Sequence, residues 1–210
     1  MKLKLYLIII IIFLSGAVNG QINDRLSLGV KMGLNYANYY GPDYFGTYSR
    51  VGWLIGGSFR FEFTDNLKLQ SEVYYTTKGA ARDFRDSEDQ LFTFNEKLAY
   101  IEFPFIAQYI FDVGEASPIK PFLLAGPSFS VLLSSKLSRE FSGFKDETDL
   151  DFIKSFDTGI IFGGGFYFQN NKKGLYLELR YNLGLLPVYD ETREAKIKNG
   201  VFALTLGYVI

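Results

Sequence analysis

The sequence contains no cysteine and no histidine. Without cysteine no disulfide can form, so hydrogen bonds and packing alone must hold the fold. The same two absences remove every Ser-His and Cys-His pair, the commonest arrangements in which a base activates a nucleophile. A hydrolase that relies on carboxylates is kept as an alternative. We expect no catalytic residue, no cofactor and no metal.

The chain also lacks an excess of charge of either sign. Its 22 basic and 23 acidic residues give a formal net charge of −1 at pH 7. Nucleic-acid-binding proteins need a clustered positive surface to meet the phosphates. We therefore expect no nucleic-acid partner.

Long apolar runs are absent except at the N-terminus, where one follows two lysines and leads into small residues that end at Gly20. The run falls short of the roughly 18 to 20 residues that a membrane-spanning helix needs, which disfavours an uncleaved anchor. We predict that residues 1–20 are a secretory signal peptide, cleaved near Gly20 and Gln21. A single domain would then cover residues 21–210.

Beyond that run, apolar and polar residues alternate with a period of two, which is typical of β-strands. The connections after the second, fourth and sixth alternating segments are short, and the others are long. Long loops on one side and short turns on the other are typical of an outer-membrane barrel with both termini in the periplasm. The eight predicted strands are residues 26–37, 50–63, 67–78, 97–111, 119–133, 155–169, 174–185 and 200–210.

The two faces of these strands differ in composition. One face is apolar, and the other mixes charged residues with glycine, alanine and serine. A soluble barrel of the lipocalin type would turn its polar face to water and crowd it with charge. Because the charged face here is too sparse for that, we assign it to a narrow lumen and the apolar face to lipid. The predicted lumen charges are Lys31, Arg60, Glu62, Lys68, Glu72, Glu102, Lys120, Asp157, Glu178 and Arg180.

Aromatic residues on the apolar face lie near the ends of the predicted strands. Two rings of aromatic side chains at opposite heights are typical of the interfaces of a membrane. The predicted interface aromatics are Tyr36, Trp53, Phe61, Phe63, Tyr109, Phe111, Phe168, Tyr181 and Tyr208. The predicted fold class is therefore all-β, an eight-stranded antiparallel up-and-down transmembrane β-barrel in the outer membrane, with outer-membrane lipid as a partner.

Four blocks of the sequence resemble a known family. They are "YIEFP", "KPFLLAGP", "FDTG" followed by "GGG", and "LELRYNLGL", in that order along the chain. These blocks resemble the PorT-like outer-membrane β-barrel family, a porin family of Bacteroidetes-type bacteria, over essentially the whole mature chain. The resemblance implies a barrel, and some family members resemble a component of the type IX secretion and gliding apparatus. Because the blocks build strands rather than a site, they imply no particular activity.

The predicted lumen is narrow. The interior of an eight-stranded barrel is just wide enough for side chains to fill, whereas water-filled porins need about 16 to 18 strands. We therefore expect no general diffusion pore. Buried charges are tolerable when they are paired, so we interpret the lumen charges as a neutral plug in which Glu102 bonds with the pair Glu178 and Arg180. A proton or ion path is the alternative.

Other segments carry weaker patterns. The acidic segment 144–152 offers oxygen ligands for Ca²⁺ but lacks the glycine and terminal glutamate of an EF-hand loop, so we interpret it as a solvated outer loop. Segment 82–90 mixes charges and is interpreted in the same way. The glycines at 163–165 lack the lysine and helix start of a phosphate-binding loop and are expected inside a strand. The first outer loop suits interface anchoring and ligand or partner contact equally. Its aromatic residues are Tyr39, Tyr40, Tyr44, Phe45 and Tyr48.

The expected function is that of a small, non-enzymatic outer-membrane barrel with a structural or surface-interaction role. Protein partners would meet its outer loops or its periplasmic turns. The alternative, which rests on the family resemblance, is an accessory component of the type IX secretion machinery.

Overall fold

The computed structural model describes residues 25–43, 46–114, 117–141, 144–170, 173–191, 193 and 195–210. The predicted signal peptide and its cleavage site lie outside these ranges. The described residues form one antiparallel sheet of nine strands. The strands are β1 Leu26–Tyr40, β2 Tyr48–Glu62, β3 Leu67–Arg85, β4 Leu91–Ile110, β5 Ile119–Phe141, β6 Phe144–Asp149, β7 Phe156–Asn170, β8 Lys173–Gly184 and β9 Lys198–Val209. In these ranges, no helix is long and apolar enough to cross a bilayer.

Eight of the nine strands close into a ring. Strands β1 to β5 pair in chain order, β5 pairs with β7, and β7, β8 and β9 pair in chain order. Strand β9 then returns to β1, where Leu204 lies opposite Leu34. Closure satisfies the backbone groups of every ring strand and leaves no open edge inside a bilayer. The predicted eight-stranded up-and-down barrel is thereby confirmed.

The strands extend farther outward than the sequence pattern predicts. Strand β3 runs on to Arg85, and β5 runs on to Phe141. The additional strand β6 pairs with the outer part of β5 and lies outside the ring. The expectation of outer loops is therefore wrong for residues 82–85 and 144–149, which belong to strands, and holds for residues 86–90, which connect β3 to β4. Both faces of a strand meet water beyond the bilayer, so the alternation that reveals the strand disappears while its backbone hydrogen bonds continue.

The barrel is apolar outside and polar inside. Along β1, Val30 and Met32 are 55% and 58% exposed, whereas the intervening Lys31 is 2% exposed. A soluble barrel would show the reverse, with apolar side chains in the interior. The long exposed apolar surface is instead the surface that a transmembrane barrel presents to lipid.

Glycines on the inner face make room for large side chains. A Cβ atom at Gly56 would collide with the Val73 carbonyl oxygen and with Tyr74. A Cβ atom at Gly163 would come within 2.7 Å of the Cα atom of Arg180. The run 163–165 lies inside β7, as expected. These glycines let bulky and charged partners occupy a narrow interior.

Candidate functional site

A cluster of four charges fills the middle of the lumen, and we call it the central ion cluster: Lys31, Glu72, Glu178 and Arg180. The Lys31 ammonium lies 2.6 Å from Glu72 Oε1 and 3.3 Å from Glu178 Oε1. Arg180 donates from Nη1 to Glu72 Oε2 at 2.9 Å and lies 3.2 Å from Glu178 Oε1 through Nε. The four side chains are between 0% and 2% exposed. Strands β1, β3 and β8 thus supply two cations and two anions that neutralise one another.

A second group, the outer ion cluster of Lys78, Glu102 and Asp157, lies nearer the outer end of the strands. The Lys78 ammonium is 2.7 Å from Glu102 Oε2 and 3.6 Å from Asp157 Oδ2. Glu102 Oε1 accepts from the Tyr74 hydroxyl and the Asn182 amide, both at 2.6 Å. Asp157 Oδ2 accepts from the Asn199 amide at 3.0 Å. Both carboxylates therefore face one shared ammonium and also accept from neutral donors.

This arrangement corrects the expected partner of Glu102. It bonds Lys78 rather than the pair Glu178 and Arg180, because Arg180 is engaged by Glu72 from β3. Lys78 is the main lumen charge that the sequence analysis missed. It lies on the same face of β3 as Lys68 and Glu72. The period of two, applied up to the end of the predicted strand, would have assigned Lys78 to the lumen.

The predicted charges nearer the periplasm lie outside both clusters. Arg60 has no carboxylate partner among the described residues and instead bonds Gln70 Oε1 through Nε at 2.9 Å and Nη2 at 2.7 Å. Lys68 and Glu62 pair at 2.5 Å, with side chains 11% and 33% exposed. Lys120 is half-buried near the start of β5 and forms no ion pair with a described residue.

Apolar clusters lie near both ends of the lumen. At the outer end, segments 150–155 and 185–191 pack Leu150, Ile153 and Val188 against inward-facing barrel residues, and we call these segments the outer lid. They are joined by a bridge between Ile153 and Tyr189 and by a 2.9 Å bond from the Lys154 amide to the Val188 carbonyl. The apolar cluster under the outer lid comprises Tyr39, Ala80, Leu98, Tyr100, Leu150, Ile153, Val188 and Ile197. The cluster at the periplasmic end comprises Ile106, Ile110, Phe122, Leu124, Ile161, Tyr167, Tyr176 and Val209.

A cavity of about 400 Å³, which we call the outer pocket, lies beside the outer lid. Glu96 in its wall accepts from the Tyr39 hydroxyl at 2.8 Å and from the Tyr189 hydroxyl at 3.1 Å. Burial and the Glu96 carboxylate raise the pKa of Tyr189, so its hydroxyl keeps its proton. The pocket is lined by Tyr39, Thr47, Ala80, Ala81, Arg82, Phe94, Glu96, Leu137, Phe152, Tyr189, Arg193, Ala195 and Ile197.

The first-loop aromatics have separate positions. Tyr39 points inward and lines the outer pocket, whereas Tyr48 is exposed and donates to Asp83 Oδ1 at 2.9 Å. Tyr40 donates to the Gly184 carbonyl oxygen. Tyr44 and Phe45 lie outside the described residues. Tyr39 is thus the residue of this group that meets a cavity.

The predicted interface aromatics lie on the outer face at two levels. In the outer half, Tyr181 is opposite Phe202, which in turn is opposite Tyr36. Trp53 packs on Tyr75 there, with ring centroids 4.8 Å apart. The other six predicted interface aromatics lie nearer the periplasm: Phe61, Phe63, Tyr109, Phe111, Phe168 and Tyr208. Of all nine, Phe61 and Tyr181 are half-buried and the others are exposed.

No group of three or more potential metal-ligating side chains occurs among the described residues. The acidic segment 144–152 therefore offers no assembled Ca²⁺ site within that part of the chain.

Comparison with known proteins identifies the domain. The family model described as the outer membrane protein beta-barrel domain matches residues 19–190. Similar solved structures include Neisserial surface protein A, with 19% identity over 87% of this chain and 96% of that one, at a TM-score of 0.49. They also include OprG from Pseudomonas aeruginosa, with 12% identity over 89% and 96% of the two chains and a TM-score of 0.48. The outer membrane enzyme PagL is 17% identical over 87% and 98%, with a TM-score of 0.41. Among curated proteins, no relative matches the chain.

Proposed function

Because the chain belongs to the outer membrane protein beta-barrel domain family, we propose that it is a non-enzymatic membrane scaffold with a closed lumen and an interacting outer surface. The protein is a small barrel of the outer membrane. The central ion cluster is the observation that carries the proposal. Four buried charges that contact one another across the lumen argue against a continuous aqueous path at that level.

The neighbouring layers support the same interpretation. Below the central ion cluster, the guanidinium of Arg60 packs over the Tyr167 ring at 4.9 Å, and Tyr167 belongs to the apolar cluster at the periplasmic end. Above it, the outer ion cluster and the outer lid follow. A conducting pore would need water-lined space at each of these levels.

An interacting surface is supported by the sheet that stands above the barrel. It consists of the outer parts of β3, β4 and β5 together with β6, and we call it the outer sheet. Phe84 and Phe144 are 55% and 80% exposed on it, and Leu91 is also exposed. Exposed apolar side chains on a protruding sheet suit contact with another macromolecule.

The chemistry of the side chains supports a non-enzymatic role. The chain has no histidine and no cysteine to act as base or nucleophile. The buried carboxylates of Glu72 and Glu102 are engaged by cations and by hydrogen-bond donors rather than turned toward a cavity. A carboxylate-based hydrolase needs a carboxylate that can reach its substrate.

Planar-bilayer recording tests the closed lumen. The purified protein should give no large, steady conductance, and a general porin inserted under the same conditions provides the positive control. A stable porin-sized current would refute the closed lumen. A small proton-selective current that Glu72→Gln alters would instead support the alternative of a proton path.

The role of a type IX secretion accessory is a narrower hypothesis, carried by the four sequence blocks that resemble the PorT-like family. Crosslinking in intact cells, followed by identification of the crosslinked proteins, tests it. Reproducible capture of secretion components would support it, and capture of unrelated surface proteins would favour the general scaffold.

A further inference from the structure

The outer pocket has the size and the walls of a small-molecule site. Its volume of about 400 Å³ lies within the range of roughly 300 to 1,000 Å³ that is typical of ligand sites. Four aromatic rings line it, and the Phe152 and Tyr189 rings meet edge to face at 5.4 Å. Tyr39 meets Tyr189 in the same manner at 6.3 Å. Rings fixed by one another in this way form an apolar slot for a planar group.

Two guanidinium groups, those of Arg82 and Arg193, also line the outer pocket. Arg82 packs over the Phe94 ring at 5.4 Å, and Arg193 packs over the Phe152 ring at 4.0 Å. Both arginines are exposed, and neither forms an ion pair with another described residue. A guanidinium that rests on a ring keeps its edge free, and that edge matches the two oxygens of a carboxylate or phosphate.

The one acidic residue of the lining leaves a net positive charge, because it carries one negative charge against two guanidinium groups. Glu96 accepts from the hydroxyls of both Tyr39 and Tyr189. The carboxylate is therefore engaged inside the wall, while Arg82 and Arg193 are left to meet a ligand.

We propose that the outer pocket binds a small anion with an aromatic body, the ring lying among the aromatic side chains and the oxyanion meeting Arg82 and Arg193. The ligand enters from the outer medium. This site lies at the outer end of the barrel, apart from the two ion clusters, and it adds a small-molecule function to the scaffold.

Isothermal titration calorimetry in detergent solution tests the site with phenyl phosphate as the probe. Benzyl alcohol, which lacks the charge, and inorganic phosphate, which lacks the ring, serve as comparison ligands. We expect saturable binding of phenyl phosphate and at least tenfold weaker binding of the other two. Arg82→Gln and Arg193→Gln should each weaken phenyl phosphate binding by about tenfold or more, because each removes a charged hydrogen-bond donor.

Arg139→Gln is the matched control. Arg139 also packs on the Phe94 ring, at 5.5 Å, but it does not line the outer pocket. Arg139→Gln should change the affinity for phenyl phosphate by less than about twofold. Heat-modifiable gel migration should show that all three variants are folded. The proposal is overturned if phenyl phosphate gives no saturable heat, if benzyl alcohol binds as well, or if Arg139→Gln weakens binding as much as Arg82→Gln. None of these results bears on the conductance of the lumen.

Discussion

Among individual residues, the buried charges of the lumen nearly balance. The buried cations are Lys31, Arg60, Lys68, Lys78 and Arg180, and the buried anions are Glu72, Glu102, Asp157 and Glu178. Lys68 pairs with the half-buried Glu62. A single uncompensated charge in such an interior costs several kcal/mol, whereas a bonded pair costs much less. The pairing therefore explains how a barrel can hold a charged interior and remain stable.

Glu72 makes the closest contacts of the central ion cluster, 2.6 Å to Lys31 and 2.9 Å to Arg180, whereas Glu178 lies 3.3 Å and 3.2 Å from the same two cations. We predict that Glu72→Gln lowers the free energy of unfolding by about 3 to 5 kcal/mol, the usual cost of breaking a buried pair. Urea unfolding in lipid vesicles measures this. Glu147→Gln on exposed β6 is the control and should leave the unfolding midpoint unchanged. Equal midpoints for both variants would contradict the assigned role of Glu72.

Two adjacent glycines provide a test of the packed interior. Gly56→Ala would push a methyl group against the Val73 carbonyl and Tyr74, whereas at Gly57 the contact is with the Gly29 carbonyl oxygen, at an ordinary 3.5 Å. We predict that Gly56→Ala lowers the free energy of unfolding by about 1 to 3 kcal/mol, as overpacking usually does, and that Gly57→Ala costs clearly less. The same urea titration compares them. A larger loss for Gly57→Ala would show that the inner face is not tightly filled.

Among the secondary-structure elements, the membrane-embedded parts were predictable from the sequence and the outer parts were not. Within the bilayer, one face of each strand meets lipid and the other meets the lumen, so the pattern alternates as it does along "LELRYNLGL". Strand β6 has exposed residues throughout, and nothing in its sequence distinguishes it from a loop. The partner of Glu102 depends on the register between β3 and β4, which brings Lys78 within 2.7 Å of Glu102, and the alternation along the sequence does not specify that register.

The hairpin of β5 and β6 should be dispensable for folding. Because β6 pairs with β5 alone, the ring of eight strands is complete without it. We predict that replacing residues 138–147 by Asn-Gly, a tight hairpin turn, leaves heat-modifiable migration and the urea midpoint unchanged. Failure of this variant to fold would mean that the outer sheet is part of the stable core.

The outer lid should loosen at alkaline pH. Burial and Glu96 raise the pKa of Tyr189 above its ordinary value of about 10, so the closed lid favours the neutral phenol. This stabilisation is fully present below pH 10 and is lost as the pH rises toward the raised pKa. Hydrogen exchange of residues 185–191 should therefore accelerate above pH 10 more than intrinsic exchange does. Tyr189→Phe should show faster exchange at neutral pH and a weaker pH dependence, and identical profiles for both proteins would contradict the role of this hydroxyl.

For the molecule as a whole, the barrel is apolar outside and polar inside. This arrangement agrees both with the alternating sequence and with a location in the outer membrane. We propose that the exposed apolar band contacts lipid and that the paired charges fill a lumen too narrow for free diffusion. Among the described residues, the outer sheet and the outer pocket face the outer medium. Interactions at the cell surface are therefore expected there rather than through the barrel.

Accessibility along β9 tests this account most directly, and the absence of native cysteine makes the labelling specific. Spin labels at single cysteines replacing residues 202 to 206 would be examined in lipid vesicles with oxygen and with a water-soluble nickel complex. We predict high oxygen accessibility at 202, 204 and 206, where the native side chains are exposed, and low accessibility to both reagents at 203 and 205. Access of the nickel complex to 203 and 205 would reveal a water-filled lumen, and its access to 202, 204 and 206 would show that this face does not meet lipid.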